Sequence, residues 1–217
     1  PQTKAIAISC KKVNEPKKIL SLCKTLAPHR GDPIKPLRMM IMGVPNVGKS
    51  TLMNAILNRR IAKVGDEPAI TKQQQRHQIN DHMILIDTPG MMWPKIHYPL
   101  DGDLLAINNN IGKNAYFEEE VAEKLGAILL KDYPSVLQAR YKLENLDIDA
   151  INLLEYIAKK KGFPLKNHLL DLEKASTTLL NDYRQGSLGR VTLETPSSRE
   201  LMIKNNNNSL DTNTKNK

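Results

Sequence analysis

Three runs of consecutive apolar residues, at 3–9, 37–42 and 83–87, stand out from an otherwise mixed chain. Each has the length of a strand, and the first two are followed by a turn and a helix-compatible stretch. That pattern predicts β-α-β units on a parallel sheet buried on both faces. The segment "KQQQRHQIN" at 72–80 predicts an edge strand, joined to the third run by a turn at Asn80-Asp81. Residues 50–58 predict a helix. From about Ile111 the apolar period changes. Val121, Leu125, Ile128 and Leu129 share one helical face, Ile151, Leu154 and Ala158 a second, and Leu172, Ala175, Leu179 and Tyr183 a third. Pro134 and Gly186 stand where helices stop. The expected organisation is an α/β domain over 1–110, a small helical domain over 111–195, and a disordered tail from Pro196, where "NNNNSLDTNTKNK" has no apolar period.

Composition narrows this picture. The chain has 217 residues and no apolar run of 18, which excludes a membrane-spanning helix of the ordinary kind. Its two cysteines, Cys10 and Cys23, lack metal-ligand spacing and fit a reduced, cytoplasmic protein. Cys23, among Ile19, Leu20, Leu22 and Leu26, reads as a small buried hydrophobe. A chain that begins at Pro1 without a signal peptide reads as a fragment or a processed product. The net charge of +9 is uneven: residues 1–110 carry 16 Lys and Arg against 8 Asp and Glu, residues 111–195 carry 12 against 13. The excess in the first half suits a polyanionic partner, though a solvated basic surface would show the same count.

The candidate chemistry starts at Gly43. "GVPNVGKS" fits the Walker A pattern, with a strand before it and a helix after it. In such a loop the glycines turn backbone N–H groups inward around phosphate oxygens, Lys49 reaches the terminal phosphates, and the Ser50 hydroxyl ligates Mg²⁺. Val47, Gly48 and Thr51 complete the expected phosphate contacts. "ILIDTPG" then ends an apolar strand in Asp87 and carries D-x-x-G, so Asp87 is expected at the magnesium and the Gly90 amide at the terminal phosphate. Between the two motifs lies "GDEPAIT", where Thr71 is the candidate to close on Mg²⁺.

A guanine-nucleotide switch of ordinary order would next show a strand ending in N-K-x-D. The window 135–155 is helical instead, and the motif occurs nowhere in the chain. Ser9-Cys10-Lys11, at the end of the first apolar run, looks like the S-A-K loop that packs on a guanine base. In ordinary order that loop comes last. A chain that places it first is circularly permuted, with its true beginning expected upstream.

"GVPNVGKSTLMN", "KVGDEPAIT", "LIDTPGMMWPK" and "LLNDYRQGSLGRVTLE" together resemble the YlqF/RbgA-type ribosome-assembly GTPases, over residues from about Lys4 to Pro196. The resemblance implies a P-loop GTPase fold, circularly permuted and here N-terminally incomplete, followed by a small all-α domain. It implies a GTP-dependent factor in late large-subunit maturation, with the precursor of that subunit and ribosomal RNA as partners. It also implies GTP and GDP as ligands, held in part by Ser9 and Cys10, a monomer, and Mg²⁺ at Ser50, Thr71 and Asp87. Asn46 resembles the asparagine of potassium-activated relatives, whose carbonyl oxygen helps hold K⁺ at the β- and γ-phosphates; a self-capping loop residue is the plainer alternative. Three departures stand out: no N-K-x-D, Ala69 where the family usually has Gly, and S-C in place of S-A.

Lys49, Thr71 and Gly90 are thus the expected catalytic set. Met91 follows D-x-x-G where many small GTPases carry a water-orienting glutamine, and a thioether cannot do that work. His77 reads as a structural or solvated edge-strand residue. Trp93 is equally suited to stacking on RNA and to packing on the domain, and Lys159-Lys160-Lys161 suits a helix C-terminus. Arg59, Arg60, Lys63, Lys72 and Arg76 cluster near the switch loop in sequence and could carry phosphate contacts. The alternative reading is a non-catalytic RNA- or ribosome-binding module with a crippled nucleotide site. An ATPase is disfavoured by S-C-K and T-P-G.

Overall fold

The computed structural model describes residues 3–12, 14–59, 74–164 and 169–214, with side chains to Asn206. It divides into two compact units, Pro1–Ala115 and Tyr116–Lys217. The division lies five residues beyond the expected boundary, because a turn of 3₁₀ helix at Lys113–Ala115 still belongs to the first unit.

The first unit holds helix α1 (Lys18–Leu26), strand β1 (Leu37–Ile41), helix α2 (Lys49–Leu57), strands β2 (Gln75–Asn80) and β3 (Met83–Asp87), and helix α3 (Pro99–Ile107). The sheet order is β1-β3-β2. β1 and β3 run parallel, in a register that sets Ile41 opposite Asp87. β2 and β3 form the expected antiparallel hairpin through Asp81 and His82, with an irregularity between Gln78 and Asn80. Leu37, Met39, Met53, Ile56, Met83 and Leu85 make the core between sheet and helices. Ile19, Leu20 and Cys23 of α1 pack on it, and Cys23, expected to be buried, is only half-buried there.

Two expectations for this unit fail. Residues 3–9 form no strand, and residues 3–7 are exposed. Apolar content gives a run its propensity, but a strand exists only through a ladder partner. The described sheet has edges at β1 and β2, and residues 3–9 lie on neither. Nor is the sheet buried on both faces along β1, where Leu37 and Met39 are buried while Arg38 and Met40 are exposed. Only the central strand β3 is covered nearly throughout.

The second unit is helical: α4 (Glu118–Asp132), α5 (Pro134–Tyr141), α6 (Ala150–Lys161), α7 (Leu172–Arg184) and α8 (Pro196–Thr214). α4, α6 and α7 pack on one another. Asp149 and Asp171 cap α6 and α7, accepting from the N–H groups of Asn152 and Lys174 at 2.8 Å each. Val121, Leu125, Leu129, Leu154, Ala158, Ala175 and Leu179 are buried as expected. Ile151 is not: α6 turns Leu153, Leu154, Ile157 and Ala158 inward and leaves Ile151 49% exposed. Tyr183 is half-buried, its neighbour Asp182 taking the inward position. Lys159–Lys161 close α6 ahead of Gly162, as expected of cations at a C-terminus.

The expected disordered tail is also corrected, since α8 runs from Pro196 to Thr214. Its start is built by a reciprocal cap. The Thr195 N–H donates to the Ser198 hydroxyl at 2.9 Å, the Ser198 N–H donates to the Thr195 hydroxyl at 3.2 Å, and Pro196 occupies the first turn, where its missing N–H costs nothing. Capping chemistry, which a search for apolar period does not register, starts this helix.

One polar cluster ties α5 to α7. Asp182 accepts from Arg140 at 2.8 and 2.6 Å and from the Tyr141 hydroxyl at 2.7 Å. Burial alone would raise the Asp182 carboxyl, but the bonds from Arg140 and Tyr141 outweigh it and hold it below the usual carboxylate range. Burial, and then the Asp182 carboxylate, push the Tyr141 phenol far above its normal value. Asp182→Ala should destabilise the helical unit by about 3 kcal/mol, read by chemical denaturation, because it strands a buried phenol and half of an ion pair. The folded carboxyl is the more acidic one, so its contribution is complete near neutral pH. That contribution drains away as pH falls below about 4, and an acid limb equally steep in wild type and variant would contradict it.

Candidate functional site

β1 ends at Ile41 and α2 begins at Lys49, and the loop between them passes through Gly43 at φ 158° and then curls through two left-handed residues, Asn46 at 58° and Gly48 at 93°. Asn tolerates that region and glycine enters it freely, so successive N–H groups can point to one side as an anion nest. The loop also lies at the N-terminus of α2, where the helix dipole favours negative charge. Lys49 folds back so that its ammonium donates to the Val44 carbonyl at 2.7 Å. Burial lowers the Lys49 pKa, and the negative charge of Asp87 opposes that fall.

β3 brings the second motif to the same place. The parallel register leaves Asp87, 1% exposed, at the strand end beside the start of the loop. Thr88 follows, its hydroxyl donating to the Ile41 carbonyl at 2.7 Å and fastening the two strand ends together. Gly90 then meets the loop: a Cβ there would lie 2.8 Å from the Pro45 Cα and 2.9 Å from its nitrogen. Only glycine allows that approach. The next N–H, of Met91, donates to the Gly43 carbonyl at 3.1 Å.

A third element had no signal in the sequence. After α3 the carboxamide of Asn110 donates to the Pro45 carbonyl at 2.8 Å, and that of Asn46 donates to the Asn109 carbonyl at 2.7 Å. A run of three asparagines after a helix reads as a cap, and nothing local reveals a partner more than sixty residues earlier.

The structure thus brings Asn46, Gly48, Lys49, Ser50, Asp87 and Gly90 into one neighbourhood, with Val47 and Thr51 exposed on its rim. Thr71, Arg60, Lys63 and Lys72 lie outside the described residues. Ser9 and Cys10 sit in a local turn, where the Ser9 N–H donates to Glu15 at 2.7 Å and the Lys12 N–H to the Ser9 carbonyl at 3.2 Å. Among the described residues their hydrogen bonds stay within that turn. Burial pushes the Cys10 thiol up. Met91 and Trp93 are 50% and 71% exposed, Arg59 and Arg76 are exposed, and His77 is half-buried on β2.

The donors present suit magnesium. A serine hydroxyl and one carboxylate are hard oxygen ligands, and Mg²⁺ usually keeps waters and phosphate oxygens for its other positions. No group of three His, Cys, Asp or Glu side chains among the described residues competes as a fully protein-ligated metal site.

A phosphate loop on one strand, with D-x-x-G delivered by the parallel neighbour, defines a P-loop nucleoside triphosphatase. The relatives narrow it. Residues 38–180 match the family described as "50S ribosome-binding GTPase", and the chain belongs to that family. It is 36% identical over 199 residues to ribosome biogenesis GTPase A of Bacillus cereus, covering 88% of this chain and 67% of that protein. It is 33% identical over 204 residues to the protein of that name from Priestia megaterium, covering 90% and 71%. In fold it resembles GNP-bound YlqF from T. maritima, with a TM-score of 0.52 at 22% identity, covering 85% of this chain and 67% of that one. A GDP-bound YlqF gives 0.54, also at 22% identity, covering 85% and 69%.

Gly90→Ala should force Pro45 and the loop apart. Nucleotide hydrolysis is expected to fall at least about tenfold while the thermal midpoint drops only a few degrees. Unchanged turnover in a steady-state phosphate-release assay would mean that the close approach is dispensable.

Proposed function

We propose that the chain binds and hydrolyses GTP as a factor in late assembly of the large ribosomal subunit, engaging ribosomal RNA according to its nucleotide state. The observation that carries this reading is the junction at Pro45, where the phosphate loop and the Gly90 segment touch. A γ-phosphate in the loop would lie within reach of both, so its loss would be felt by the segment that follows Asp87. The names of the relatives support the ribosomal part, and the basic excess of the first 110 residues suits an RNA partner.

In this reading Lys49 and the loop N–H groups neutralise charge on the β- and γ-phosphates, and the Gly90 N–H turns toward the γ-phosphate. A magnesium ion bound there would supply further neutralisation of phosphate charge. Ser50 and Asp87 would hold it, with Thr71 closing from the loop between the two motifs. Ser9 and Cys10 would face the guanine once their turn is brought to the site. Met91 cannot orient water, so the activating group comes from elsewhere: K⁺ held by the Asn46 oxygen, or the ribosome itself. The chain acts in the cytoplasm as a monomer, with residues 1–115 as the nucleotide unit and the helical unit as a docking module. Charge reversal at Arg59 and Arg60 tests RNA contact near the switch; retained subunit binding would remove that element.

The deciding experiment is a titration with a fluorescent GTP analogue, displaced by GTP or ATP, in KCl and in NaCl. Displacement by GTP alone, with hydrolysis faster in KCl, is the expected result. Equal displacement by ATP, or no binding, would favour a docking module over an enzyme. Equal hydrolysis in the two salts would remove potassium from the mechanism.

A further inference from the structure

The turn that ends α3 is built to hold something. Asn108 closes the helix, Asn109 takes a left-handed conformation at φ 58°, and the N–H groups of Asn109 and Asn110 donate to the carbonyls of Ala106 and Leu105 at 2.9 and 2.8 Å. That is a Schellman motif, with asparagine in the position glycine usually takes. It fixes the backbone of Asn110, whose side chain reaches the Pro45 carbonyl from an 8%-exposed position. One residue on, the bond runs the other way, from the Asn46 carboxamide to the Asn109 carbonyl.

Both acceptors are backbone carbonyls, which cannot donate, so each carboxamide must present its nitrogen and its orientation is set by chemistry. For Asn46 this decides which way the oxygen is turned, and the oxygen is the atom a monovalent cation needs. The bond from Asn110 also pins Pro45, against which Gly90 packs. A helix cap needs only the backbone bonds of the motif, so the side-chain bonds to the loop are additional to it.

We propose that Asn110 is a positioning residue for the phosphate loop: it fixes Pro45, and its turn fixes the carboxamide of Asn46 for a cation at the β- and γ-phosphates. For the cation and substrate this rests on the GTPase reading above. Asn110 touches neither and acts through Pro45 and Asn46.

The test uses the full chain with Asn110→Asp, which keeps the size but sets a carboxylate against the Pro45 carbonyl, and Asn110→Ala. The first readout needs no nucleotide. Hydrogen exchange of peptides spanning residues 43–49 should quicken at least about fivefold in both variants, while peptides from α4 to α7 keep wild-type rates. The second is GTP turnover in KCl and NaCl. In KCl kcat should fall about tenfold with KM changed less than about threefold, and the KCl-to-NaCl ratio should move toward one. Unchanged exchange in the loop would overturn the proposal. So would an equal fall of kcat in both salts, which marks a residue of general stability. A wild-type chain that binds no guanine nucleotide would sink the GTPase reading instead, and the exchange data would then decide by themselves whether Asn110 holds the loop.

Discussion

The register of β1 against β3 is the constraint on which the site depends. Parallel pairing with Ile41 opposite Asp87 brings two motifs that are some forty residues apart in sequence to adjacent strand ends. A slip of one residue would carry the loop that follows Ile41 away from Asp87 and exchange buried for exposed side chains along β1. The register is held on the core side by Leu37, Met39, Met83 and Leu85, and at the strand ends by the bond from the Thr88 hydroxyl to the Ile41 carbonyl. Packing and polar contacts therefore specify the same alignment.

From that alignment the loop is braced on two sides. The segment after β3 approaches through Gly90 and Met91, and the turn after α3 through Asn109 and Asn110. A phosphate loop is mostly backbone, with few side chains to pack, so its shape must be imposed by neighbours. Here the neighbours are a glycine that permits contact and an asparagine that supplies a donor. The helical unit follows a different logic: its helices share an apolar core, and a polar cluster, Arg140–Asp182–Tyr141, joins α5 to α7.

The fold class, the Walker loop, the D-x-x-G strand, the hairpin and the three mutually packed helices were all legible in the sequence. Each rests on interactions between residues close along the chain, or on a periodicity that repeats within one element. The errors have a common origin as well. The strand expected at 3–9 finds no ladder partner among the described residues, the face expected at Ile151 is off by part of a turn, and apolar period does not register the Thr195–Ser198 cap that starts α8. Propensity describes what a segment can do, and pairing or capping decides what it does.

By itself, the sequence determined the chemistry available: the glycines and lysine of a phosphate loop, a strand-end aspartate, and a methionine where a water-orienting side chain is common. Only the tertiary structure decided which of these meet. It placed Gly90 on Pro45 and turned two asparagines from a helix-ending run onto the phosphate loop. The physical reason is range. Loop and helix signals act over a few residues, whereas a contact spanning more than sixty residues is set by how sheet and helices pack, which no local pattern records.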